Sequence, residues 1–389
     1  MKSMLWASAC VLLLVIYAVF VIVYRLFIHP LSKFPGPKLA AATKWYECYF
    51  DLAKSNGGEF AWEIDHMHKK YGPVIRVNPD EIHVKDPAAY EVIYAKSPTH
   101  RDKWPPAASM SGTPLATFGT VSHDLHRKRR LAISPFFSRK FIINAEKIFK
   151  DQVEHLSRNL QSCYQSGNVL DLRVTYLAFT TDTICRLAFG GALGLQDDTR
   201  GADDWAETME AVARLTPLIK QFPFLLSVST AFATPSMPQK NMHYRATEFL
   251  KQVNSNDEVE EMDEKAKLFH FINESTLPSE EKSSKRLAQE GFALIAAGSE
   301  TTARILTIAT FHILDNPDIL RRLQVELKDV LRGRTELPSL DVLRELLWLT
   351  AVVKETLRIA ALITSRLPVM APTELHVAGW TIPSNVSLE

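Results

Sequence analysis

Hydrophobic positions at the start of the chain form an unbroken run that differs from the rest of the sequence. No charged residue occurs at positions 3–24, which are rich in leucine, valine, isoleucine and alanine. As a helix rising about 1.5 Å per residue, this run is long enough to cross the hydrocarbon core of a bilayer. A cleaved signal peptide is the alternative, but its apolar segment typically has about 7 to 15 residues. The pattern predicts an uncleaved membrane anchor over residues 1–28.

Charges and prolines beside this run indicate how the chain leaves the membrane. Lys2 alone precedes the run, whereas Arg25, Lys33 and Lys38 follow it. The excess of basic residues on the C-terminal side predicts that the body of the chain lies in the cytosol. A Pro-Gly-Pro sequence at positions 35–37 cannot continue a helix. We therefore expect residues 29–38 to form a stiff, proline-rich elbow between the anchor and the body.

The pattern in the body is mainly helical. Positions 74–77 and 81–85 alternate between apolar and polar residues around an Asn-Pro-Asp turn, which predicts a strand hairpin. An apolar, proline-punctuated segment at 215–235 fits either buried core or a lip that touches the membrane. Apolar residues recur at helical spacing at 60–70, 86–94, 123–132, 145–165, 170–189, 205–215, 243–254, 285–314, 318–331, 341–346 and 350–359. The expected fold class is therefore mainly α with a small β component.

Composition excludes several classes of protein. The 45 Lys and Arg residues against 44 Asp and Glu leave a net charge of +1, which argues against nucleic acid as a partner. A hydrophobic fraction of 46% is enough for a large packed core. Cys10, Cys48, Cys163 and Cys185 form no CxxC pair, so the sequence suggests neither a zinc cluster nor a disulfide framework.

One polar segment interrupts the long apolar pattern at 285–314. Glu300 stands beside Thr301 and Thr302, and a buried acid in such a helix is costly unless it has a partner or a task. The alternative is an ordinary ion pair between Glu300 and Arg304, four positions apart. Gly298 favours a special role, because a glycine inside a helix costs about 1 kcal/mol relative to alanine and often marks a bend or a close approach.

Two further pairs stand at helical spacing. Glu355 and Arg358 have mostly apolar neighbours, which predicts a buried, hydrogen-bonded pair with a structural role. In the basic run at 126–130, His126 and Arg130 share a helix face and could hold the anionic groups of a ligand. Arg127 and Lys128 between them are expected to be solvated.

These three segments, in this order behind an anchor and a proline elbow, resemble the cytochrome P-450 family of haem-thiolate monooxygenases over almost the whole chain. The elbow and the segments at 101–104 and 134–138 are most similar to fungal microsomal members that oxidise secondary metabolites, including trichothecene-type oxygenases. The resemblance implies a single transmembrane helix followed by a cytochrome P-450-like catalytic domain over residues 39–389.

The resemblance also implies site residues. Thr301 would hydrogen-bond the iron-bound peroxide, Glu300 would help relay protons, and Gly298 would leave room for O2. The implied sets are catalytic Glu300 and Thr301; haem-contacting His126, Arg130, Ala297 and Gly298, with His126 and Arg130 binding the propionates; and the structural pair Glu355 and Arg358.

The implied cofactor is haem, with electrons from NADPH delivered by a flavoprotein reductase that docks near Arg127 and Lys128. The implied reaction is hydroxylation or epoxidation of a hydrophobic small molecule, such as a terpenoid, in fungal secondary metabolism. The implied location is the endoplasmic reticulum membrane, with one membrane pass and a cytosolic body.

One departure from the family concerns the iron ligand. The family's Phe-x-x-Gly-x-Arg-x-Cys-x-Gly loop has no counterpart in the sequence, and Cys185 lies in a helical pattern typical of packed core. Val369 stands near where many relatives carry another propionate-binding arginine. The sequence therefore leaves three hypotheses: a C-terminally truncated, inactive family member; a haem-free, membrane-anchored helical binding protein; and a haem protein with a different axial ligand.

Overall fold

The computed structural model describes residues 2–55, 57–96, 98–225, 268–332, 336–363 and 365–389. The helix predicted at 243–254 and the second half of the apolar segment at 215–235 lie outside these residues. The described helices are α1 Lys2–Val23, α2 Lys38–Ala42, α3 Trp45–Cys48, α4 Phe60–Tyr71, α5 Tyr90–Ile93, α6 Pro105–Ser109, α7 His123–Ile133, α8 Arg139–Asn144, α9 Glu146–Ser166, α10 Leu172–Phe189, α11 Thr199–Gln221, α12 Leu268–Asn273, α13 Ser284–Asp315, α14 Pro317–Leu331, α15 Leu340–Arg344 and α16 Leu347–Ala360.

The N-terminal apolar run forms one helix, as predicted. Helix α1 continues through a π-helical turn at Tyr24–Ile28, and the stretch Trp6–Ile28 has a mean hydropathy of 2.8 and no buried residue. Its length and composition fit a membrane anchor. Helix α13 passes the same test of length and composition, but it packs against α10 and belongs to the core.

A mixed sheet joins distant parts of the chain. Its strands stand in the order β1-β2-β7-β4-β3, and a separate hairpin pairs β5 with β6. The hairpin predicted at 74–85 is confirmed, because β1 and β2 pair antiparallel with Val74 opposite Val84. Strand β7 then adds to β2 in parallel. The strands are β1 Val74–Asn78, β2 Glu81–Val84, β3 Asp102–Lys103, β4 Val369–Met370, β5 Leu375–Val377, β6 Trp380–Ile382 and β7 Ser387–Leu388.

The largest buried cluster lies around α10. Leu177 and Cys185 of this helix pack with Trp205 of α11 and with Phe292 and Ile295 of α13. The prediction that Cys185 belongs to packed core is confirmed, since its side chain is fully buried. This cluster fixes α13, and therefore the polar segment at its centre, against the rest of the helical body.

Candidate active site

One face of α13 is closed by α10. A β-carbon on Gly298 would stand 2.9 Å from Cγ1 of Ile184, so the two helices approach more closely than a larger residue would permit. On the same side, the hydroxyl of Thr180 donates to the carbonyl of Ser299 at 2.9 Å. The predicted close approach at Gly298 is confirmed, and it is made by Ile184. The role of Gly298 in leaving room for O2 stays a prediction.

A second face of α13 is open. Ala297 is exposed and Thr301 is half-buried, and the Thr301 hydroxyl donates to the Ala297 carbonyl at 2.7 Å. Positions four apart share a helix face, so these two side chains form one stripe. Both side chains are small. A flat ligand could lie on this open stripe, Ala297 and Thr301, close to the helix backbone.

Glu300 is half-buried beside the open stripe. The sequence allowed an ordinary ion pair with Arg304, but within the described parts of the chain the two side chains form no ion pair. The carboxyl group therefore has no cation neutralising it there. The half-buried Glu300 carboxyl stays in contact with solvent next to Thr301.

A loop at 111–120 is tied to the N-terminal half of α13. The side-chain carbonyl of Gln289 accepts a hydrogen bond from the Leu115 amide at 2.8 Å. The Glu290 carboxylate accepts from both the amide and the hydroxyl of Thr117, at 2.9 and 2.8 Å. Arg286 also donates to Glu290 at 2.8 Å. These bonds hold the loop beside the helix that carries the open stripe.

Helix α7 brings His126 and Arg130 onto one face. Burial, followed by the charges of Lys103, His123 and Arg130, lowers the pKa of His126 to about 4. The Arg130 guanidinium is exposed and lies 5.0 Å from the centre of the Phe137 ring. His126 is therefore uncharged at neutral pH, and an anionic group placed here would meet the charge of Arg130 and a neutral imidazole that can donate a hydrogen bond.

The basic run on α7 divides by face. Arg127 and Lys128 are exposed, as predicted. Arg129 is buried, and its guanidinium donates to both carboxylate oxygens of Glu281 at 2.6 and 2.9 Å and to the Thr120 hydroxyl at 2.7 Å. Sequence reasoning missed this role. The spacing indicated it, because Arg129 stands three positions before Ala132, which is buried, and residues three apart share a helix face.

Lys103 was also missed. It lies in β3 directly opposite Val369 of β4, and its ammonium donates to the Phe118 carbonyl at 2.6 Å. Burial lowers the pKa of Lys103 to about 8, although the charge of Glu290 opposes this change. Lys103 is therefore close enough to Glu290 of α13 and to His126 of α7 for their charges to interact. Its ammonium supplies a cation beside Val369, the position near which many relatives carry an arginine.

The described residues fit the propionates and the flat ring of a haem, but they identify no ligand for its iron. The cations Lys103 and Arg130 and the neutral imidazole of His126 together form a cationic cluster suited to carboxylates, and the open stripe suits a flat ring. None of the four cysteines belongs to α7 or α13. Cys185 is held in the core, where burial raises the pKa of its thiol far above the usual range. These positions identify none of the four thiols as a ligand of a haem iron.

Glu355 and Arg358 form the predicted hydrogen-bonded pair on α16, with two bonds of 2.7 and 2.5 Å. The predicted burial of this pair is wrong for the described part of the chain, because the side chains are 58% and 70% exposed. Helix α16 buries Thr356, on a different face from the ion pair. Leu357 is also exposed, so apolar neighbours along the sequence do not mean burial here.

Comparison with known proteins identifies the family of this chain. The sequence model of the cytochrome P450 family matches residues 42–388. A tryptophan 6-hydroxylase of Fusarium equiseti is 41% identical over 368 residues, which are 92% of this chain and 72% of that protein.

Two further relatives support the same assignment. A conidiogenone synthase of Penicillium rubens is 37% identical, with 94% of this chain and 74% of that protein aligned. An N-acetyltryptophan 6-hydroxylase of Emericella nidulans is 34% identical, with 97% of this chain and 76% of that protein aligned. With a family match over most of its length and relatives of this identity, the chain belongs to the cytochrome P450 family.

Proposed function

We propose that this protein takes part in haem-dependent hydroxylation of a hydrophobic aromatic small molecule, with an indole of the tryptophan type as the first candidate substrate. The observation that carries the proposal is the pairing of the open stripe, Ala297 and Thr301, with the cationic cluster of Lys103, His126 and Arg130. The fungal secondary-metabolite branch of the family supports the reaction type. The names of two relatives, both hydroxylases of position 6 of a tryptophan, support the substrate class.

In this proposal the chain's own residues bind, orient and supply protons. Haem, when bound, supplies the oxidising chemistry that inserts one oxygen atom into a C–H bond. The cationic cluster would hold the two propionates, and the stripe would set the distance between the ring and α13. The Thr301 hydroxyl would give up its hydrogen bond to the Ala297 carbonyl and donate toward the position where oxygen reacts. The Glu300 carboxyl would then replace the proton that Thr301 gives up.

The cationic cluster can be tested without measuring activity. The full chain in detergent micelles is titrated with haemin, and the affinity is followed by absorbance. Lys103→Met is expected to weaken binding about tenfold, since one charge-assisted hydrogen bond is worth roughly 1.5–3 kcal/mol. Lys128→Met removes the same charge from the exposed face of α7 and should leave the affinity unchanged. Equal affinities for both variants would contradict the assignment of Lys103.

The substrate is tested in microsomes that contain the full chain, a reductase and NADPH. Tryptophan, N-acetyltryptophan and a terpenoid of similar size are offered separately, and hydroxylated products are sought by mass spectrometry. Conversion of the indoles alone supports the proposed substrate class. Conversion of the terpenoid alone would replace it with the second candidate class. The Thr302→Ala variant, altered at an exposed neighbour of Thr301, serves as a control for Thr301→Ala.

We further propose that residues 1–389 alone do not complete the haem-thiolate centre, because no cysteine in them is placed to serve. The reduced, carbon-monoxide-bound difference spectrum of the membrane-bound chain tests this. A thiolate-type Soret band would contradict the proposal, and its loss in Cys48→Ser, Cys163→Ser or Cys185→Ser would name the ligand. The absence of any haem signal from a folded chain would favour the alternative function, a membrane-anchored interaction protein without haem.

The proposed location is the endoplasmic reticulum membrane, with α1 as a single pass, residues 29–38 as the elbow and residues 39–389 as an incomplete catalytic domain in the cytosol. The proposed electron donor is an NADPH-dependent flavoprotein reductase that docks on the exposed side of α7. Reversing the charges of Arg127 and Lys128 should weaken its salt-dependent association. Reversal of Arg139, which lies outside α7, provides the control.

A further inference from the structure

Three ligand-type side chains meet where α7 begins. They are His100, which precedes β3, and His123 and Asp124 in the first turn of α7. One ligand atom from each lies within 4.8 Å of the other two. The two imidazole rings are close, with centroids 4.7 Å apart. The cluster joins two segments that are separated by more than twenty positions, so the fold and not local sequence creates it.

The surroundings hold both imidazoles in place. His100 shares a hydrogen bond between its Nε2 and the Asp102 carboxylate at 3.1 Å, and the same carboxylate oxygen accepts from the His123 amide at 2.7 Å. His123 places its Nδ1 3.3 Å from both the amide nitrogen and the carbonyl oxygen of Arg101. Among the described residues, each ring therefore has one nitrogen in a hydrogen bond and one nitrogen without a hydrogen-bond partner. Carboxylate and backbone contacts of this kind orient the histidine ligands of metal sites.

The nearby positive charges are hydrogen-bonded to backbone carbonyls. The Arg101 guanidinium donates to the carbonyls of Ile93, Val92 and His100 at 2.9, 2.8 and 2.7 Å. The Lys103 ammonium donates to the Phe118 carbonyl. Asp102 and Asp124 contribute two negative charges beside the imidazoles. His100 is 39% exposed, so an ion can reach the cluster from solvent.

We propose that His100, His123 and Asp124 bind a divalent cation of the zinc class. Two imidazole nitrogens and one carboxylate favour zinc, nickel or copper over magnesium and calcium, which prefer sets of oxygen ligands. Three protein ligands leave one tetrahedral position for water. The ion would fasten the segment before β3 to the start of α7, the helix that also carries His126 and Arg130.

The experiment titrates the metal-stripped full chain in detergent micelles with zinc ions in competition with a chromophoric chelator. The expected result is one zinc equivalent per chain, with an affinity at least tenfold weaker in His100→Gln and in Asp124→Asn. His66→Gln is the matched control. His66 also lies beside a carboxylate, that of Glu63 at 3.8 Å, but the two side chains offer two possible metal ligands where the proposed site has three. Its substitution should leave zinc affinity unchanged.

Stability supplies a second measurement. Zinc should raise the thermal unfolding midpoint of the wild-type chain and of His66→Gln, but not of His100→Gln, because an ion that binds only the folded state stabilises it. Circular dichroism checks that each variant is folded. The same zinc stoichiometry and affinity in His100→Gln and wild type would overturn the proposal. An equal loss of affinity in His66→Gln would also overturn it, since binding would then be spread over unrelated histidines.

Discussion

Gly298 of α13 lies directly against Ile184 of α10. A β-carbon at position 298 would stand 2.9 Å from Cγ1 and 3.3 Å from Cβ of Ile184. Gly298→Ala is expected to destabilise the fold by about 1–2 kcal/mol, because overpacking typically costs about 1–3 kcal/mol and the gain in helix propensity returns at most about 1 kcal/mol. Chemical unfolding of both proteins measures the difference.

A double-mutant cycle shows whether Ile184 is the cause of this cost. Ile184→Ala removes Cγ1 and Cδ1, so the substitution at Gly298 should cost less in the double variant than in the wild type. The expected coupling energy is about 1 kcal/mol in the favourable direction. Additive effects of the two substitutions would mean that the cost arises elsewhere on α13.

Arg129 and Arg130 are neighbours with opposite expected phenotypes. Arg129→Leu should cost about 2 kcal/mol of stability, because it removes the charge-assisted hydrogen bonds of the buried Arg129 guanidinium and leaves Glu281 with only Arg286, at 3.2 Å, as its cation. Arg130→Leu alters an exposed side chain and should stay within about 0.5 kcal/mol of the wild type. Unfolding midpoints compare the two variants. Similar losses would show that the run does not divide by face.

His83 should make stability depend on pH. Burial, followed by the charges of His68, Arg366 and Lys85, lowers the pKa of His83 to about 3. The unfolded chain takes up a proton near pH 6.5, whereas the folded chain does not. Stability is therefore greatest above about pH 6.5 and falls as the pH drops toward 3. At pH 5 the loss is about 1–2 kcal/mol.

The His83→Gln variant isolates this effect. Its thermal unfolding midpoint should fall less between pH 7 and pH 5 than that of the wild type. His66→Gln, altered at a histidine that is 67% exposed, should follow the wild type. If the wild type and His83→Gln showed the same slope, other groups would control the response to acid.

Two deletions test whether the body of the protein depends on the turn at Tyr24–Ile28. The Arg76 guanidinium is 1% exposed and donates to the Arg25 carbonyl and the Pro79 carbonyl, each at 2.7 Å. Deletion of residues 1–23 keeps Arg25, whereas deletion of residues 1–28 removes it. The longer deletion should therefore be less stable by about 1–3 kcal/mol, the cost of a buried donor without an acceptor. Equal unfolding midpoints would show that solvent replaces Arg25.

The sequence predicted local features better than distant ones. Alternation placed the hairpin of β1 and β2 almost to the residue, because both strands and their turn are contiguous. The cost of a mid-helix glycine correctly indicated a close approach at Gly298. Helix α11 instead continues to Gln221, past Pro217, where a proline usually breaks a helix, and Lys220 in this last turn donates to the distant Glu47 at 2.6 Å.

Partners far apart in the sequence could not be found in this way. Arg366 donates to Glu47, 319 positions away, and to Glu81, 285 positions away. Lys103 meets Val369 only because β3 and β4 pair. The open face of Glu355 and Arg358 was missed for a related reason, since burial depends on what covers a helix and not on its own neighbours along the chain.

The parallel pairing of β2 with β7 has a consequence for synthesis of the protein. Ser387 donates to Glu81, a residue made 306 positions earlier. At roughly 5–20 residues per second, the ribosome needs about 15–60 s to make the intervening chain. During that time the edge of β2 that later pairs with β7 is an unpaired strand edge. This is the interval in which a chaperone bound at β2 would most reduce wrong strand pairing between nascent chains.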